Sequence, residues 1–209
     1  MKNLILTFFL SFSVLTIWSQ ISIQDALRTG AEISKNDKKF NELPAELIQT
    51  FSFGISLPDD ISYHFKNGGG ETLKSRLSFE LFYTINYPIF KKVTFGLITG
   101  FQHQSQGSIT AYKLGGLVRY YFKNYDSTNF YIMTARGFGL DSKVENSSGY
   151  GNIRFGLEFP IEKYDDYNVI FKIFWDNDSY KLKKPLISNE NPRDIIYHSG
   201  YGLGIGIRF

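Results

Sequence analysis

The chain has 209 residues, enough for one domain with a sizeable core; 17% are aromatic, 19 are glycine, and the formal net charge is +3. It contains no cysteine, which excludes disulfide support, thiolate chemistry and Cys-ligated metal while leaving the compartment open. The charges are scattered rather than clustered, which excludes the electrostatic footprint of a nucleic-acid binder.

In chain order, MKNLILTFFLSFSVLTIWSQ opens with Lys2, runs apolar from Leu4 to Trp18 and turns small or polar at Ser19 and Gln20. This succession predicts a secretory signal peptide over 1–19. The stretch falls short of the ~20 apolar residues a spanning helix needs, and no second long apolar run follows, so a helical membrane protein is excluded. Residues 20–48 read as a separate periplasmic or plug-like segment. Ser22 and Asp25 have capping-box spacing ahead of a short helix through Ile33, before a polar break at 36–39. A loosely ordered stretch fits the same residues.

From Gln49 the pattern changes to period two, the signature of strands with two distinct faces. A first strand is predicted at 49–57, with Phe51, Phe53, Ile55 and Leu57 alternating with Ser52, Gly54 and Ser56. In SRLSFELFYTINY, Leu77, Phe79, Leu81, Tyr83, Ile85 and Tyr87 oppose Arg76, Ser78, Glu80, Thr84 and Asn86. Strands follow at 92–104 and 109–122 in the same style. The fifth, at 128–140, has an ambiguous parity because Arg136 falls on the side of Ile132. Two more are predicted at 148–159 and 167–176, and the last at 197–209, where Tyr201, Leu203, Ile205, Ile207 and Phe209 alternate with glycines and Arg208.

The connections NYPIFKK, KNYDSTN and PIEKYDDY are short, whereas 58–73, 141–148 and 177–196 are long and polar, and the two kinds fall on opposite ends. Only 105–108 is short at the long-loop end. Aromatics crowd the short-turn end: Tyr87, Phe90, Tyr121, Phe122, Phe159, Tyr164, Tyr167 and Phe209. One face is too wide and aromatic to fill an eight-strand interior. The other carries glycines with Arg76, Glu80, Lys113, Arg119, Arg154, Glu158, Lys172 and Arg208. A soluble ligand-binding barrel would reverse this arrangement. The prediction is therefore all-β, a closed antiparallel transmembrane β-barrel of eight strands over 49–209, with its apolar face to lipid and a charged lumen. Buried charges need partners, so Glu80 and Glu158 are expected to pair with the arginines.

The stretch GLGIGIRF resembles the C-terminal assembly signal of Gram-negative outer-membrane β-barrel proteins, with Gly204, Ile207 and Phe209 in its places. Residues 49–209 are similar in architecture to the small OmpA/OmpX-like barrels. The resemblance implies a cell outer-membrane location and contact with outer-membrane lipid and lipopolysaccharide. It also implies insertion by the barrel-assembly machinery through the last strand, with a monomer favoured.

Few residues carry chemistry. His103 and Ser105 have the His-x-Ser spacing of lipid A deacylases, and a strand would place both on one face, where an imidazole activates a hydroxyl. Gln106 stands where that pattern has Asn, and no acid follows within a dozen residues. NGGGETLKS lacks the Gly that must precede the lysine of a phosphate loop. Asp176, Asp178, Glu190 and Asp194 sit in a predicted loop without calcium-loop spacing, and Lys181, Lys183 and Lys184 form a charge run able to meet lipopolysaccharide phosphates. The sequence thus points to an outer-membrane barrel with a structural or surface-binding role, at most a narrow passage, without cofactor or metal. The alternative is a lipid A-modifying barrel enzyme built on His103 and Ser105.

Overall fold

The computed structural model describes residues 47–64, 70–74, 76–140, 144, 151–183 and 195–209. The predicted signal peptide and most of the segment ahead of the barrel lie outside the described residues. The strands are β1 (Ile48–His64), β2 (Gly70–Thr72), β3 (Ser78–Phe90), β4 (Val93–Gln104), β5 (Ile109–Tyr121), β6 (Asn129–Gly139), β7 (Gly151–Lys163), β8 (Asn168–Lys181) and β9 (Ile195–Arg208). Each long strand pairs antiparallel with its neighbour in sequence, and β1 also pairs with β9, so eight strands close on themselves. The three-residue β2 adds to the far end of β1, from Ser62↔Thr72 to His64↔Gly70.

Closure leaves no long edge, the condition for strands to cross hydrocarbon. The outward wall of Phe51, Phe53, Leu81, Phe95, Leu97, Leu203 and Ile205 is exposed, whereas the inward parity holds the buried polar and charged residues. An apolar exterior around a charged interior is the inverse of a soluble fold. With tight turns at one end and the longer connections at the other, this is an outer-membrane barrel. In outer-membrane barrels the short turns face the periplasm, so the end with Ile48 and Phe209 is taken as the periplasmic end.

Several elements depart from the sequence reading. β1 runs to His64 and β8 to Lys181, through stretches predicted as loops, because both pair with β9 along its length. Pro58 is accommodated by a register shift before Asp60, and Pro88 and Pro160 sit at similar shifts. A residue without an N–H is tolerated at such irregularities. The register also settles β6: Lys113 of β5 faces Gly137 and Arg119 faces Tyr131, so Tyr131, Met133 and Ala135 point inward and Arg136 outward. Tyr121, predicted in the aromatic girdle, is instead fully buried in the lumen, because Tyr120 and Phe122 take the outward parity on either side of it.

The inward glycines do not leave the lumen empty. A Cβ on Gly202 would run into the Phe174 ring, and one on Gly54 would meet the Glu80 carboxylate. Bare backbone on one strand admits a large side chain from another. Phe174 packs with Phe82, Ile98, Leu117, Tyr131, Met133 and Ala135 as an apolar layer inside the barrel. A second inward cluster, of Ile61, Tyr63, Ile109, Ala111, Val144, Tyr180, Leu182 and Ile196, occupies the outer end.

Candidate functional site in the barrel lumen

The inward charges form three clusters. At the periplasmic end, Glu158 of β7 is fully buried and Arg119 donates to both its oxygens (3.1 and 3.2 Å). Arg208 Nη2 lies 2.6 Å and Asn129 Nδ2 3.2 Å from Oε2, and Lys172 Nζ 3.1 Å from Oε1. Arg119 also donates to Thr84 Oγ1, and Lys172 to Ser52 Oγ.

In the middle, Arg154 makes a fork to Glu80, with Nη1 on Oε1 and Nη2 on Oε2, both at 2.5 Å. Its Nε and Nη2 turn to Asp176 at 3.1 and 2.9 Å. The guanidinium lies 3.9 Å from the Phe174 ring centre, a cation–π contact with the apolar layer. Asn152 and Gln102 complete the shell of Asp176. Nearer the outer end, Lys113 Nζ reaches both oxygens of Asp178 (2.5 and 2.6 Å), and Tyr180 Oη donates to the same carboxylate at 2.9 Å.

Of the residues predicted to line the lumen, Glu80, Lys113, Arg119, Arg154, Glu158, Lys172 and Arg208 are buried there. Arg76 is not. It is exposed ahead of β3, which starts only at Ser78, so the alternation that pointed it inward has not begun. Asp176, the second acid of Arg154, and Asp178, the acid of Lys113, belong to a stretch that composition alone assigns to a loop. They share the parity of Lys172 and Phe174, and that continuation of period two was the available signal. Glu190, Asp194 and Lys184 lie outside the described residues, while Lys181 is half-buried and Lys183 exposed.

The histidines do not converge. His64 ends β1 on the outside, and His198 is buried beside the Tyr180 ring. His103 Nδ1 lies 2.9 Å from Thr110 Oγ1, its register partner on β5. β4 ends at Gln104, and Ser105 takes helical angles (φ −65°, ψ −30°) ahead of a 3-10 turn over Gln106–Ser108. The alternation that would put Ser105 on the face of His103 therefore stops one residue short. In the last strand, Gly204 sits between Gly54 and Lys172, Ile207 faces outward, and Phe209 exchanges backbone bonds with Gln49 at the periplasmic rim.

No protein-family model matches the sequence, and no curated relative matches it either. Among solved structures, the chain is similar to outer membrane protein OprG from Pseudomonas aeruginosa, at 13% identity over 81% of this chain and 98% of that one, with a TM-score of 0.48. It is also similar to outer membrane protein AlkL (10%; 81% and 95%; TM-score 0.47) and to Neisserial surface protein A (12%; 77% and 98%; TM-score 0.39).

Proposed function

We propose that this outer-membrane barrel works through its wall and its two ends, as a structural or surface-binding protein, and not as an open pore. The observation that carries the reading is the filled outer end: Ile61, Tyr63, Ile109, Tyr180, Leu182 and Ile196 are each at most 2% exposed and close the lumen with apolar side chains. An ion crossing that layer would lose its water against a lining that, apart from the hydroxyls of Tyr63 and Tyr180, is apolar. Below the layer, all three charged clusters are tied across the barrel. Eight strands enclose an interior that side chains can fill.

The surfaces left for partners are the lipid-facing wall and the outer rim. There Arg136 stands outward beside the Phe138 ring, with Lys181 and Lys183 on or just beyond β8, cations suited to the phosphates of lipopolysaccharide. In this reading, β9 with Gly204, Ile207 and Phe209 is the strand offered to the barrel-assembly machinery, whose edge pairs before closure.

Single-channel recording in planar bilayers tests the proposal. The purified barrel is expected to give no conductance steps, and porin-like steps in the wild type would overturn the sealed reading. Steps that appear only when Ile61 and Ile196 are both replaced by Ala would locate the seal in the outer cluster.

A further inference from the structure

The described residues leave the lumen with unequal numbers of buried positive and negative groups. Among the described residues, its buried charges are five cations, Lys113, Arg119, Arg154, Lys172 and Arg208, against four carboxylates, Glu80, Glu158, Asp176 and Asp178. Lys113 has Asp178 to itself, and Arg154 has two acids. The surplus therefore gathers at the periplasmic end, where Arg119, Lys172 and Arg208 share the single carboxylate of Glu158. Unneutralised positive charge in a desolvated interior is costly, and folded proteins pair it.

The same place holds unused donors. Arg119 Nη1, Arg208 Nε and Tyr121 Oη are buried without a hydrogen-bond partner among the described residues. The two guanidinium groups are neighbours, since both reach Glu158 Oε2, and the Arg208 guanidinium lies 5.6 Å from the Tyr121 ring centre. Unpartnered oxygens of Thr50, Asn86, Thr94, Asn129 and Asn168 occur in the same third of the lumen. Arg208 and Asn168 also line a cavity of about 310 Å³ that opens between the periplasmic turns. The acids at its rim do not bar an anion: Asp126 is bonded to Lys163 and Asn168, and Asp165 and Asp166 are exposed, where salt screens them.

We propose that the periplasmic end of the lumen binds one small inorganic anion, held by Arg119 and Arg208 and reached from the periplasm through the cavity beside Arg208. A single monovalent anion brings the buried charges to neutrality and accepts from donors that otherwise have nothing to bond. Water drawn in with it serves the unpartnered hydroxyl and amide oxygens. The apolar layers above it prevent onward passage, so the site is a structural anion site and not a step in conduction.

The test uses the full barrel in phosphatidylcholine vesicles, with chloride as the probe and gluconate, too bulky to enter, as the comparison at equal ionic strength and pH. The urea midpoint of the wild type is expected to be higher in chloride, with a saturating dependence, and chloride-35 NMR is expected to show line broadening that bromide relieves. Lys172→Met makes the lumen neutral and should abolish the chloride response, as should Arg208→Gln. Lys123→Gln, in an exposed turn, should keep it. Equal wild-type midpoints in the two salts would overturn the proposal, as would a chloride response that survives in Lys172→Met. If Arg208→Gln does not fold, Lys172→Met and the wild-type NMR signal still decide the question.

Discussion

Replacing Arg154 by Met should be among the most damaging single changes in the barrel. The side chain is buried, bridges Glu80 of β3 to Asp176 of β8, and lies on the Phe174 ring. Met fills comparable volume, so the loss is mainly electrostatic: two buried carboxylates are left facing each other without a cation. Breaking a buried pair costs about 3–5 kcal/mol. At about 1.4 kcal/mol per factor of ten, the folded-to-unfolded ratio should fall by roughly two to four orders of magnitude. The assay is urea unfolding of the barrel in lipid vesicles, followed by heat-modifiable gel mobility and by Trp175 fluorescence. Lys163→Gln, which removes the exposed pair with Asp126, is the matched control and should cost about 1 kcal/mol or less. A second cycle, with Glu80→Gln alone and combined with Arg154→Met, should show strong coupling, because the double variant removes one of the stranded charges. An Arg154→Met cost no greater than that of Lys163→Gln would refute the claim that the lumen pairs are desolvated.

Three further outcomes are expected. Gly202→Val should destabilise the barrel by about 1–3 kcal/mol through collision with Phe174, and adding Phe174→Ala should recover part of that loss in the same urea assay. Phe209→Asp should lower the amount of folded, heat-modifiable barrel in the outer membrane while leaving passage across the inner membrane intact; a conservative change at Ile195, at the other end of β9, is the control, and unchanged folded protein would reduce GLGIGIRF to an ordinary strand. Overproduction should leave lipid A acylation unchanged by mass spectrometry, whereas deacylated lipid A that disappears in His103→Ala would establish the enzyme reading.

The barrel was legible in the sequence because its information is local. Period two is a property of the extended backbone, so Phe79, Leu81, Tyr83 and Ile85 against Ser78, Glu80, Thr84 and Asn86 declare two faces without knowledge of any partner strand. The width of the apolar face and the alternation of short and long connections then dictate an inside-out barrel. Where the local pattern was weak, so was the reading. β6 carries Arg136 on its lipid-side parity, and the outer part of β8 is a polar run, DNDSYK, that resembles a loop in composition.

What the tertiary structure alone decided is which inward residues meet. Glu80 and Arg154 lie 74 positions apart, and nothing local relates them. Their pairing follows from the stagger of the register around the closed barrel, which brings β3 and β7 to one level across the lumen. The same closure drew β8 and β1 out along β9, turned Asp176 and Asp178 from loop acids into the partners of Arg154 and Lys113, and set three cations on Glu158. Side-chain parity is written residue by residue, but charge balance belongs to the whole ring of strands. It exists only once the last strand has paired with the first.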